Sequence, residues 1–248
     1  MIELLVVIVL IAILAGLLLP PLSGARQRGQ SAACKNLLRQ TGLALQMYVQ
    51  EHGFYPPLAE RGTTTLCFDR LLPYNPVSWT NESWNCPAYL AGRGIVSRDR
   101  VKTNSSGISY SYNDVGIVTG WQPDCPKSIF QLHLGLGHLY GDIKKEPGIR
   151  SPAEMYAVAD ARSETAGEGM AGVIKMSPWI FEAYSYFSGA EVAPPHGPGY
   201  NILFCDGHVN WVERRDYLYP PRTASCWNSD HQPHPEAWAP TNYWAVQQ

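Results

Sequence analysis

The sequence predicts an α+β fold, in which a long N-terminal hydrophobic helix packs on a loop-rich head with an antiparallel β-sheet. Three observations support this prediction. Residues 4–19 are all apolar or glycine, and apolar residues then recur at helical spacing as far as residue 53. Beyond residue 58 the apolar runs are short and lie between glycine, proline, asparagine or aspartate, which is typical of strands joined by turns.

The apolar stretch Leu4–Leu19 is predicted to form a helix about 24 Å long. A transmembrane helix usually needs about 20 apolar residues, so this stretch is slightly too short to span the bilayer core alone. A secretory signal peptide would begin with basic residues, whereas Glu3 precedes this stretch. An ionised carboxylate in lipid costs several kcal/mol unless it is paired. We therefore expect Glu3 to have a specific partner, such as the α-amino group of a neighbouring chain.

Two adjacent prolines, Pro20 and Pro21, remove two backbone donors, and we expect a break in the helix there. Ser23 can cap a new helix, which Gly53 ends. One face of that helix recurs at steps of three and four and should pack on the head: Cys34, Leu38, Thr41, Leu45 and Tyr48.

These boundaries give two predicted regions. Residues 1–53 form an N-terminal helix, with a hydrophobic assembly or membrane segment at 1–22 and an amphipathic segment at 23–53. Residues 54–248 form a globular α+β head. Its predicted strands lie at Gly107–Tyr112, Met155–Ala159, part of Ile174–Tyr186, Tyr200–Cys205 and His208–Val212. Residues 87–107 and 118–150 are predicted to be long surface loops.

The Asp206-Gly207 pair between the last two predicted strands indicates a hairpin with a type I′ turn, since that turn needs positive φ at both central residues. In a straight strand His196 would lie about 33 Å from Asp206. We therefore predict a structural role for this segment.

Charge and cysteine content narrow the functional classes. With 19 basic and 21 acidic residues the formal net charge is −2, and we expect no nucleic-acid partner. No C-x-x-C pair is present, so a zinc ribbon or a c-type haem site is not supported. Disulfides are favoured over buried free thiols, and they indicate export to an oxidising compartment. Six cysteines allow 15 pairings, which the sequence cannot distinguish: Cys34, Cys67, Cys86, Cys125, Cys205 and Cys226.

The segment MIELLVVIVLIAILAGLLLP resembles the mature N-terminus of type IV pilins and type II secretion pseudopilins. Pro20 lies seventeen positions after Glu3, as the corresponding residues do in that family, but both lie two positions early. The resemblance implies that a basic leader, a glycine and two residues precede Met1 in the precursor. It also implies cleavage by a prepilin peptidase and N-methylation of the new first residue.

A second match lies near the C-terminus. The segment from His196 to Asp206-Gly207 resembles the His, nine residues, Asp-Gly signature of large prepilin-like proteins. Three further segments of the chain resemble landmarks of the same group: Asn85-Cys86-Pro87, Ser109 to Asn113, and Ser151 to Glu154 followed by Asp160. The matches are dense in the first fifth of the chain and scattered beyond it.

This resemblance implies a structural subunit of an extracellular pilus-like or pseudopilus filament, assembled through its N-terminal helix, with Glu3 and Pro20 as the assembly residues. The expected partners are copies of the same chain, the inner-membrane assembly machinery and the prepilin peptidase. The expected location is the inner membrane before assembly and the cell surface afterwards.

Two alternatives remain open at this stage: a membrane-anchored binding module that does not polymerise, and a metal-dependent surface hydrolase using His196, Asp206 and Asp160. No common nucleophile or phosphate-binding motif is present, so we predict that the chain is not an enzyme. No cofactor is expected to be required. Calcium is the candidate ion, at a site built from Asp160 and Asp206 with His208 or His196.

Overall fold

The computed structural model describes residues 2–58, 65–75, 77–79, 81–88, 109–114, 116, 134–137, 144–160, 196–217 and 220–235. Its helices are α1 (Ile2–His52), α2 (Cys67–Arg70), α3 (Arg214–Tyr217) and α4 (Pro220–Trp227). Short 3-10 turns lie at Glu82–Trp84 and Glu146–Gly148. The strands are β1 (Tyr110–Tyr112), β2 (Tyr156–Asp160), β3 (Gly199–Phe204) and β4 (Val209–Glu213).

The four strands form one antiparallel sheet in the order β1-β2-β3-β4. Each strand falls within or next to a predicted apolar run, and the predicted α+β class is confirmed. β2 carries an irregularity between Tyr156 and Val158, where its register against β3 shifts. The predicted strand within Ile174–Tyr186 and most of the two predicted loops lie outside the described residues.

α1 is continuous from Ile2 to His52, so the predicted break at Pro20 and Pro21 is wrong. The proline ring fixes φ near a helical value, and what proline lacks is the N–H that would bond the carbonyl four residues earlier. Each ring also crowds the carbonyl four residues earlier, so a helix passes through both positions at the cost of two backbone hydrogen bonds and of local distortion. The end of the helix next to Gly53 agrees with the prediction.

The second half of α1 packs across the sheet. All five residues of the predicted face are at most 2% exposed: Cys34, Leu38, Thr41, Leu45 and Tyr48. Ser31 Oγ donates a 3.4 Å hydrogen bond to the Asn201 side chain, near the start of β3. Gln46 reaches the carbonyl of Asp206, beyond the end of that strand. The helix therefore runs along β3 in the same direction as the strand.

β3 is buried along its whole length, because each face of the sheet is covered. Leu203 belongs to the core beneath α1. Tyr200 and Ile202 belong to a second core on the other face, with Tyr217 and Trp227 from α3 and α4. This alternation is the period-two pattern of a strand between two layers, and the head therefore has a helix, a sheet and a second helical layer.

Gly42 marks the closest approach of α1 to the sheet. A Cβ at this position would lie 2.6 Å from Leu203 Cδ1 and 3.5 Å from the Gly207 carbonyl oxygen. A larger residue would push the helix away from the core that it covers.

We predict that Gly42→Val lowers the free energy of unfolding by about 1–3 kcal/mol, the usual cost of overpacking a core. The matched control is Gly29→Val on the same helix, where an added Cβ meets no atom within 4 Å. Chemical denaturation of the full chain in detergent measures both. Equal effects of the two substitutions would show that helix propensity, and not the contact with Leu203, is responsible.

Candidate functional site

The first half of α1 is an exposed apolar surface. Residues 3–17 are all exposed, and twelve large hydrophobic side chains among residues 4–22 are each at least half exposed: Leu4, Leu5, Val6, Val7, Ile8, Val9, Leu10, Ile11, Ile13, Leu14, Leu17 and Leu22. By length and composition the helix can cross a membrane, and its apolar window is not buried in the head. Contiguous apolar surface of this size marks a site of contact with a membrane or a protein.

Glu3 lies in the first turn of α1 and its side chain is exposed. A carboxylate is favourable at this end of a helix, because the unpaired N–H groups there carry partial positive charge. Pro20 lies within α1. Glu3 is therefore on the part of the helix that the head does not cover.

The β3–β4 hairpin differs from the predicted type I′ turn. Gly207 has a φ of 92°, but Asp206 does not have a positive φ. The Gly207 N–H donates to the Phe204 carbonyl at 3.0 Å, and the Phe204 N–H donates to the His208 carbonyl at 2.9 Å. This is a three-residue loop over residues 205–207, with a type I turn followed by a left-handed glycine.

The predicted calcium set is not assembled. Asp206 Oδ1 lies 2.6 Å from His208 Nδ1 at the hairpin tip. Asp160 lies at the opposite end of β3, where its Oδ2 accepts a 2.7 Å hydrogen bond from the Asn201 N–H. The three residue steps along β3 from Asn201 to Phe204 already separate the two carboxylates by about 10 Å or more. The predicted calcium site that combines Asp160 with Asp206 and His208 is therefore wrong.

Asp160 and His196 do come together, in a group that also contains two cysteines. We call Cys34, Cys86, Asp160 and His196 the Cys–His–Asp cluster. One potential ligand atom from each residue lies within 4.8 Å of the others. Cys86 Sγ is 3.2 Å from His196 Nε2, and that nitrogen is 3.5 Å from Asp160 Oδ2. All four residues are buried.

Four separate segments supply this cluster. Cys34 comes from the buried face of α1, and Asp160 ends β2. Cys86 follows the Glu82–Trp84 turn, and its N–H donates a 2.7 Å hydrogen bond to Ser109 Oγ. His196 precedes β3, where the Trp211 indole donates to its carbonyl at 3.3 Å.

Burial and mutual contacts shift the titration of these groups. Burial raises the pKa of Asp160 to about 6, against the lowering effects of His196 and of hydrogen bonds from Asn201. A hydrogen bond with Cys34, together with burial, raises the pKa of the Cys86 thiol. Burial lowers the pKa of His196, but its contacts with Cys86 and Asp160 outweigh burial and leave that pKa raised. Without a cation in the cluster, the raised pKa of Cys86 therefore favours its neutral thiol.

The predicted disulfides do not form among the described cysteines. Cys34, Cys67, Cys86, Cys205 and Cys226 are free thiols, and Cys125 lies outside the described residues. The expectation that disulfides are favoured over buried free thiols is therefore wrong for the described cysteines. Cys67 and Cys205 lie in different places, next to α2 and at the hairpin, whereas Cys34 and Cys86 are free thiols within the Cys–His–Asp cluster.

No family model, curated protein or solved structure matches the chain. The resemblance to pilins and pseudopilins therefore rests on the sequence landmarks. Two features of the described residues remain for functional interpretation: the exposed apolar half of α1 and the buried Cys–His–Asp cluster.

We predict that Gly207→Val destabilises the head by about 1–3 kcal/mol, because a β-branched residue resists positive φ. Asp206→Asn should stay within about 0.5 kcal/mol of the parent, since an amide oxygen can also accept the His208 N–H. Melting curves of both variants, with calcium and with chelator, measure this. A calcium-dependent rise in melting temperature that Asp206→Asn abolishes would contradict the purely structural role of the hairpin.

Proposed function

We propose that the chain is a structural subunit of an extracellular filament of the pilus or pseudopilus class, assembled through α1. The observation that carries this proposal is the exposed apolar surface of residues 3–17 on a helix whose other half is fixed in the head. Water contact with that surface is unfavourable at about 25 cal/mol per Å². Packing against the same segment of neighbouring subunits removes it from water.

Glu3 favours polymerisation over simple anchoring. A membrane anchor gains nothing from a carboxylate next to its apolar segment, and burying an unpaired carboxylate there is costly. In a helical stack of subunits, the carboxylate of one chain can pair with the N-terminal amine of the next. The amine is also at the positive end of a helix dipole, which strengthens the pairing.

In this arrangement the helices form the filament core and the heads face outwards. The helix is continuous through Pro20 and Pro21, so it connects the filament core directly to the head. We further propose that the chain resides in the inner membrane before assembly, where the assembly machinery and a prepilin peptidase act on it.

A membrane-anchored module that never polymerises is the second candidate, and it rests on the same observation, since α1 is apolar and long enough to span a bilayer. The two functions differ in what they require of Glu3. Removal of its charge should impair a filament, whereas an anchor should tolerate it.

A hydrolase has less support. The set proposed for it from the sequence is divided between the two ends of β3, with His196 and Asp160 at one and Asp206 at the other. His196 is 8% exposed and Asp160 is 0% exposed, so a substrate in solution has no direct access to them. We therefore propose a non-enzymatic role.

We predict that Glu3→Gln and Glu3→Ala strongly reduce filament yield while membrane insertion of the subunit stays unchanged. The reason is that either substitution removes the charge that pairs with the neighbouring amine. Electron microscopy and immunoblotting of sheared surface fractions measure yield, and membrane fractionation measures insertion.

The matched control is Glu146→Gln, which neutralises an exposed carboxylate on the head and should leave yield at the parental value. Normal yield from both Glu3 variants would rule out the pairing. Membrane insertion without filaments in the parental chain, under conditions that support filaments of related subunits, would favour the anchored module.

A further inference from the structure

We infer that the Cys–His–Asp cluster is a structural Zn²⁺ site that fastens α1 to the head. The ion is bound by Cys34 Sγ, Cys86 Sγ, His196 Nε2 and an oxygen of Asp160. This site is independent of filament assembly, because none of its ligands lies on the exposed half of α1.

The spacing of the ligand atoms fits a tetrahedral zinc ion. Zn–S bonds of about 2.3 Å and Zn–N or Zn–O bonds of about 2.0–2.2 Å give a tetrahedron with edges of roughly 3.3–3.8 Å. The distances from His196 Nε2 to Cys86 Sγ and to Asp160 Oδ2 are 3.2 and 3.5 Å, and the whole set lies within 4.8 Å. Small side-chain shifts complete the coordination.

The cluster also contains an unsatisfied acceptor. Asp160 Oδ1 is buried and has no hydrogen-bond partner among the described residues, whereas Oδ2 accepts the Asn201 N–H. A buried carboxylate oxygen without a partner carries a desolvation cost. A cation bound to the carboxylate offsets that cost, and the Asn201 hydrogen bond to Oδ2 fixes the orientation of the group, as outer-shell partners do in metal sites.

The donor types select zinc. Thiolates disfavour calcium and magnesium, which prefer oxygen ligands, and a mixed set of sulfur, nitrogen and oxygen suits the borderline Zn²⁺ ion. Binding releases the two thiol protons to solvent. Two thiolates and a carboxylate exceed the charge of the ion by one, and Lys35, which follows Cys34 in α1, can supply a compensating positive charge.

The site is closed, since all four ligands are buried, and four protein ligands without an open position are the arrangement of structural zinc. Its ligands come from α1, the segment after Glu82–Trp84, the end of β2 and the start of β3. One ion therefore crosslinks four segments that lie far apart in the sequence. It also keeps Cys34 and Cys86 from forming a disulfide.

The test measures zinc in the full chain, purified in detergent micelles without chelator, by inductively coupled plasma mass spectrometry. We expect one zinc ion per chain. Cys34→Ser and Cys86→Ser should each weaken zinc binding by more than about 100-fold, since even outer-shell changes cost 10–100-fold. The matched control is Cys67→Ser, which replaces a buried thiol outside the cluster and should retain the ion.

A second measurement does not depend on the folding of any variant. Addition of Co²⁺ to the zinc-depleted parental chain should produce thiolate-to-cobalt charge-transfer absorption and the visible bands of a tetrahedral ion, both removed by Zn²⁺. The inference is overturned if the parental chain with added zinc or cobalt gives neither stoichiometric metal nor these bands. It is equally overturned if peptide mapping finds a Cys34–Cys86 disulfide in the chain as isolated.

Discussion

The contact between the second half of α1 and β3 determines where the other parts of the head lie. β3 is an inner strand, and α1 covers one of its faces so closely that Gly42 leaves no space for a side chain against Leu203. Ser31 and Gln46 mark the two ends of this contact, beside Asn201 and Asp206. With one face occupied, the C-terminal helices must cover the other, and they complete the second aromatic core.

Both halves of α1 carry apolar side chains, but the head buries only those of the second half. Between Cys34 and Val49 its apolar face is buried by its own chain, whereas residues 3–17 are apolar and exposed. No rearrangement within a rigid helix can bury both halves on one small sheet, because the contact with β3 already spans the length of that strand. The first half therefore needs a cover supplied by something else, and the filament proposed above provides one from identical segments.

Local patterns predicted what depends on local periodicity. The helical spacing from Cys34 to Tyr48 predicted the buried face of α1, since side-chain direction follows from that period. Short apolar runs between turn residues predicted the strands. The predictions of a helix break and of a type I′ turn were wrong, because each of the two motifs fits more than one backbone geometry. Proline has a helical φ, so Pro20 does not compel a break. Asp206-Gly207 suits a three-residue loop with a left-handed glycine as well as a type I′ turn.

The Cys–His–Asp cluster depends on tertiary contacts, and its ligand spacing has no sequence signature. The sequence indicates Asp160 and His196 as candidate metal ligands, but it groups them with Asp206 at the other end of β3, and it favours disulfides for the cysteines. Cys34 is the first buried residue of α1 among those whose side chains the structure describes. The cluster thus lies where the helix leaves the head. In the proposed filament, tension on the exposed half of α1 would reach the head at this point, where the proposed ion joins helix and sheet.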